Sequence, residues 1–182
     1  MNKGIERIQE LFEKIHEINN EQIQIWLEYI VFTWQWWIGL GLTIIPWILW
    51  FLFRKKDSSL RLLTSGFFMI TISTLLDSLG IQLGFWLYKY EVLPFIPAFT
   101  PWDVSLIPVF TMFFLQIKPN ISPYIKGCVF GVVTAFVAEP FFIFIEIYEP
   151  LTWEHIYSIP IYFILYLIAH RICHGKSYIS LS

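Results

Sequence analysis

Asp77, Asp103, Glu139 and Glu146 each lie within or at the edge of a long apolar run. An ionised acid at the centre of a lipid-immersed helix costs about 2.5–3.5 kcal/mol, falling toward the interface. Built-in counter-charges for the two deepest acids, Asp77 and Glu139, can come only from Lys89, His155 or the loops. The remaining options are protonation, hydrogen bonding to neighbours, or an exogenous cation. Desolvation and mutual repulsion both disfavour two adjacent charges, so a proton-sharing pair or a proton relay is the natural chemistry of such acids.

Each acid has a plainer reading. Asp103 follows Thr100-Pro101-Trp102, and a Thr N-cap, Pro at the first helical position and Asp at the third resemble a capping box. Glu146 lies two turns beyond Glu139 on a similar face and also reads as a solvated helix end. Asp77 and Glu139 could bridge helices as neutral carboxyls. Against that, Pro140 directly follows Glu139 and removes a backbone hydrogen bond at the same depth. Ser73, Thr74, Gln82 and Tyr157 are possible hydrogen-bond partners.

Other chemistry is sparse. His170, Cys173 and His174 have the i, i+3, i+4 spacing of metal ligands, but His and Arg beside a helix end also serve as anchors, and no metal is assigned. No Gly-rich phosphate loop, serine-nucleophile elbow, zincin motif or paired CxxC occurs, so no cofactor is expected. Aromatic residues make up 20% of the chain, with 18 Phe. They fit lipid contact and interfacial anchoring, or a cavity whose rings hold an isoprenoid, quinone or cationic ligand above the acids.

The elements that must position these residues are membrane helices. The chain has 182 residues, 57% hydrophobic and 14% charged, where soluble domains carry about 25% charged residues. Spanning segments are expected at about 29–53, 60–86, 101–117, 124–147 and 155–170, giving an all-α integral membrane bundle of about five transmembrane helices. An amphipathic helix over 1–28 precedes the bundle of 29–176, and a tail of 177–182 follows. In the first helix Ile5, Ile8, Leu11, Phe12, Ile15 and Ile18 oppose an acidic stripe from Glu6 to Glu21, a face that could lie on the membrane, cap the bundle or pair with another copy. Trp34, Trp36 and Trp37 read as the outer aromatic anchor of span one, and Trp47 and Trp50 as the inner one. Gly80 and Gly84 form a small-xxx-small pair suited to close helix approach. Pro94, Pro97 and Pro101 make 88–102 an interfacial or partly re-entrant loop.

Orientation follows from charge. Arg54, Lys55, Lys56 and Arg61, then Lys118 and Lys126, then Arg171 and Lys176 fall on one side; Glu91, Glu146, Glu149 and Glu154 fall on the other, with Lys89 the exception. The positive-inside rule then puts the N-terminus outside and the C-terminus in the cytoplasm, with no cleaved signal peptide expected. Asp77 and Glu139 come out roughly 22–26 Å from the inner boundary by helical rise, in the outer third, with Asp103 opening span three from the same side. Cys128 and Cys173 fall inside, where thiols stay reduced. A net charge of -2 without a dense basic run argues against nucleic acid.

With Thr100-Pro101-Trp102-Asp103 before a short span and Ala138-Glu139-Pro140 later, the whole chain resembles a family of small multi-spanning proteins of spore-forming Gram-positive bacteria. That resemblance implies a bacterial plasma-membrane location and lends no activity. A fainter similarity is to the small membrane lycopene cyclases, which also combine acids with aromatic-rich helices, although the acid-proline order here departs from their acidic motif. The leading expectation is a non-enzymatic protein that binds or translocates a small ligand, cation or proton at its outer acids. With so few spans, self-association or a membrane partner would accompany it. The alternatives are an enzyme acting on an isoprenoid or lipid with Asp77 or Glu139 as general acid, and an assembly factor that recruits a partner through its first helix.

Overall fold

The computed structural model describes residues 3–175; Lys176 and the expected tail lie outside the described residues. In chain order the elements are α1 (Lys3–Ile25), α2 (Trp34–Phe53), α3 (Ser59–Gln82), β1 (Trp86–Tyr88), α4 (Ile107–Gln116), α5 (Pro123–Val133), α6 (Glu139–Phe144), β2 (Tyr148–Pro150) and α7 (His155–Cys173). Four stretches are long and apolar enough to cross a bilayer: Trp34–Phe53, Lys56–Gln82, Pro123–Phe144 and His155–Cys173. Their outward faces carry exposed Ile44, Ile48, Leu52, Phe67, Leu75 and Ile164, the surface that lipid covers.

The expected third span differs from the others. It is a π-helical turn, Pro101–Leu106, running into the 10-residue α4. Together they span about 24 Å by helical rise. Pro101, Trp102, Asp103, Ile107, Met112 and Leu115 are all buried, so this short helix lies mostly inside the bundle, with Phe110 on its one exposed side. A helix so enclosed has no need to match the full hydrocarbon thickness, because its neighbours satisfy its ends.

Those ends are satisfied by specific side chains. Pro108 has no N–H to offer the carbonyl of Val104 one turn back, and the Trp47 indole N–H donates to that carbonyl at 2.9 Å. At the C-terminal end, the Lys126 ammonium donates to the Phe114 and Ile117 carbonyls at 2.7 and 2.6 Å, filling acceptors that the helix C-terminus leaves open. Lys126 is thus a buried helical residue of α5 rather than a loop charge. Trp47 and Trp50 likewise do not form the inner aromatic anchor: Trp47 points at the central helix, and Trp50 is fully buried with the Arg54 guanidinium 5.4 Å from its ring centroid. Trp34 and Trp37 are 54% and 53% exposed, as a lipid-interface residue should be.

Helix α3 stops at Gln82, short of the expected Trp86. Phe85 N–H donates to the Gly80 carbonyl at 2.9 Å and Gly84 N–H to the Ile81 carbonyl at 3.0 Å, with Gly84 at φ +73. That is a Schellman stop, which a glycine in the left-handed region makes without a Cβ penalty. Gly84 is therefore a turn residue, and Gly80 takes an indole: a Cβ there would lie 2.0 Å from the Trp86 ring. Close helix approach falls instead at Gly127 and Gly131 of α5. A Cβ on Gly131 would stand 2.8 Å from the Ile159 carbonyl of α7, and backbones that close gain the dispersion contacts that hold membrane helices together.

Beyond the stop, the expected end of span two and the first residue of the expected 88–102 loop form a strand. β1 pairs antiparallel with β2, Trp86 opposite Pro150 and Tyr88 opposite Tyr148, and exposed Lys89 and Glu149 pair across the ribbon at 2.6 Å. Aromatic residues on two connections at the same end of the bundle favour this pairing. At the other end of the chain, no residue of α1 is buried, and its apolar face is open along its length.

Gly131→Ala should lower unfolding stability in detergent micelles by about 1–3 kcal/mol, because a helix backbone cannot retreat from the added methyl. Gly41→Ala, whose Cβ would meet only the Ile45 side chain at 3.6 Å, should be near neutral in the same thermal or denaturant titration.

Candidate functional site

At the end of the bundle that carries the β1–β2 ribbon, α3, the central helix, α6 and α7 surround a cavity of about 80 Å3 lined by Asp77, Asp103 and Glu139, with Trp86, Tyr88, Phe99, Trp102, Tyr148, Trp153 and Tyr162 among its walls. At roughly 10–15 Å3 for each water, the space holds about five to eight waters or one small organic molecule.

Asp77 is the most fully bonded of the three acids. Its Oδ1 accepts from the Trp86 indole N–H at 2.7 Å and the Tyr88 hydroxyl at 2.9 Å, and its Oδ2 accepts from the Phe99 backbone N–H at 2.7 Å. Hydrogen bonds to a charged group contribute about 1.5–3 kcal/mol each, so three of them exceed the insertion cost of the carboxylate. The Phe99 carbonyl in turn accepts from the Trp102 and Asp103 amides at 2.9 and 3.0 Å. Asp77 therefore caps the central helix from a neighbouring helix, and the positive end of that helix dipole favours its charge.

The capping-box reading of Thr100 and Asp103 is corrected by this arrangement. Thr100 is already helical at φ -45, ψ -46 and makes no side-chain cap. Asp103, 1% exposed, is turned instead toward Asp77, with which its carboxyl is in hydrogen-bond contact. Its Oδ2 has no partner, and the Ser73 hydroxyl donates to its backbone carbonyl at 3.2 Å.

Glu139 approaches from the opposite wall. Its Oε2 lies 2.5 Å from His155 Nδ1. Its carboxyl also contacts the Ser158 hydroxyl; because Ser158 accepts from the Trp153 indole at 2.9 Å, its own proton is free for Glu139. Two of the three cavity acids sit at irregular helix: Asp103 lies inside the π-helical turn 101–106, and Glu139 directly follows another at Thr134–Ala138. Such turns recur at functional sites.

Glu146 does not join them. It is exposed, at φ +62, in the left-handed position that ends α6, its N–H donating to Ile143 and that of Ile147 to Phe142. Of the suggested partners, Ser73 reaches Asp103, whereas Gln82 and Tyr157 are exposed. His170 and His174 stack with centroids 4.1 Å apart while Cys173 is buried, and among the described residues no group of three ligating side chains could hold a metal ion.

A second cavity of about 320 Å3 lies further out, between the end of α1 and residues 88–94, lined by Glu21, Gln22, Trp26, Tyr88 and Glu91 among others. Tyr88 is common to both cavities. The Trp26 indole donates to the Glu91 carbonyl at 2.8 Å and Gln22 to its carboxylate at 3.4 Å. Burial, with a smaller contribution from the Asp77 charge, pushes the Glu91 carboxyl up to about 8. Tyr148 is likewise held protonated, first by burial and then by the Glu139 and Asp77 charges. No protein-family model, curated protein or solved structure matches the chain.

Tyr88→Phe keeps the ring and deletes one donor to Asp77. It should destabilise the fold by about 1.5–3 kcal/mol, and by roughly half as much in an Asp77→Asn background, where the acceptor is neutral. Strictly additive costs in a denaturant double-mutant cycle would mean that Asp77 carries no charge.

Proposed function

We propose that this membrane bundle binds a proton or a small cation in the outer acid cavity and exchanges one for the other, as a carrier or sensor of that ion. The observation that carries the reading is the unpartnered Asp103 Oδ2, 1% exposed beside a second carboxyl. Two carboxyls in hydrogen-bond contact need a proton between them. Asp77 already accepts from three donors, so the proton resides on Asp103. A cation that reaches Asp103 takes over the role of that proton and releases it.

The surroundings suit such an exchange. Glu139 has His155 as an adjustable partner on the opposite wall, and the aromatic walls offer π faces to positive charge. Glu21 and Glu91 give the outer cavity an acidic lining along the route past Tyr88. Charge sorting supports a bacterial plasma-membrane orientation with this end outside: Arg54, Lys55 and Lys56 follow α2 at the far end of the bundle, whereas Glu149 and Glu154 flank α7 at the cavity end. So small a bundle would work with a second copy or a membrane partner.

In proteoliposomes of a Glu91→Gln variant, which silences the outer acid beside Trp26, tryptophan emission should titrate with pH. Ammonium, sodium or potassium chloride should move the midpoint to lower pH at an ionic strength fixed with a bulky N-methylglucamine salt. Adding Asp103→Asn or Glu139→Gln should remove that dependence. A midpoint indifferent to all three salts, or variants that titrate as their parent, would reject the exchange.

A further inference from the structure

We infer that the cation suited to the acid cavity is an alkylammonium group carrying N–H donors, an inference that rests on the acid-site reading above and narrows it. A hard divalent cation needs about six oxygen ligands or more. Here Asp77 has both oxygens occupied by Trp86, Tyr88 and Phe99, leaving Asp103 and Glu139 as the available acids, and no three ligating side chains converge among the described residues. Two carboxyls among tryptophan and tyrosine rings do match an ammonium on a short carbon chain.

Each part of that group has a counterpart. Asp103 lines the cavity and its buried Oδ2 has no donor; once its proton is displaced, an N–H of the ligand supplies a donor to this carboxyl with charge assistance. Glu139, tied on one oxygen to His155, accepts from the other side. Carbon attached to the nitrogen meets the rings of Trp86, Trp102 and Trp153, which line the same space and attract a cation through their faces. A volume of about 80 Å3 suits a short amine. A quaternary ammonium has the charge and the carbon but no N–H, so it leaves Asp103 Oδ2 without a partner. The same chemistry could reach the site as a free amine or as the primary ammonium of a lipid headgroup.

The test uses the full chain in phosphatidylcholine bilayers, titrated by calorimetry and tryptophan emission with propylammonium, tetramethylammonium, magnesium chloride and the uncharged isostere 1-propanol. Propylammonium should saturate, with proton release seen as a dependence of the heat on buffer; tetramethylammonium should bind at least about tenfold more weakly for lack of one charge-assisted hydrogen bond; 1-propanol and magnesium should give nothing saturable. Asp103→Asn should abolish the propylammonium response, with circular dichroism and a cooperative thermal transition reporting that the variant is folded. If the headgroup is the source, moving the wild-type chain into phosphatidylethanolamine bilayers should suppress propylammonium binding; if a free amine is the source, the change of lipid should leave it intact.

Equal binding of propylammonium and 1-propanol, or of propylammonium and tetramethylammonium, would overturn the inference. Should sodium still move the proton titration in that case, the acid-site reading would survive and only the ligand class would fall. With no cation acting at all, both would fall together.

Discussion

The ribbon end of this protein is organised around one carboxylate that lipid would not tolerate alone. Asp77 draws in an indole, a phenol and a backbone amide, all from the connection that follows its own helix. Satisfying it fixes where β1 lies, where the central helix begins and which way Asp103 turns. Phe99 is the pivot: its amide serves Asp77 while its carbonyl starts the helix that carries Asp103. An apolar residue at 77 would free the ribbon and leave the helix start without an acceptor. The acid is thus structural and chemical at once, and Asp103, rather than Asp77, keeps an oxygen for a ligand.

The same economy recurs where proline breaks the backbone ladder inside the bundle. Pro108 vacates the Val104 carbonyl and Trp47 fills it; Lys126 closes the open carbonyls at the C-terminal end of the same helix. With no water in the hydrocarbon to accept these groups, side chains must reach across from neighbouring helices. Tryptophan does this more often than any other residue type here, donating to Glu91, Val92 and Val104 carbonyls and to Asp77, Tyr162 and Ser158 side chains. An indole adds a donor at the tip of a large apolar body, which suits a buried gap in an apolar setting.

These roles set what the sequence could disclose. Apolar run length located the four long spans to within a few residues, and counting residues from the basic ends placed Asp77 and Glu139 at one depth, where both line the cavity. His155 was legible as a partner because it is one of few cations on the acidic side. Periodicity was less useful: with lipid on one side and protein on the other, both faces of a membrane helix are apolar, so neither the buried α4 nor the inward turn of Trp47 and Trp50 stood out. The ribbon, the cross-helix cap by Asp77 and the reversal of Asp103 depend on pairings between distant segments, which no local pattern encodes. Two signals were present and misassigned: Gly127 and Gly131 share the spacing of Gly80 and Gly84, and Gly84 ahead of an aromatic run is a helix-stop signature.

The account stands on a single proton held between Asp77 and Asp103, with the charge on Asp77. Infrared spectroscopy of the lipid-reconstituted chain measures this directly through the C=O stretch of protonated carboxyl groups. The wild type at neutral pH should show such a band, shifted in deuterium oxide, that is missing from Asp103→Asn. A variant spectrum that superimposes on the wild type throughout that region would contradict the shared proton and the exchange built on it.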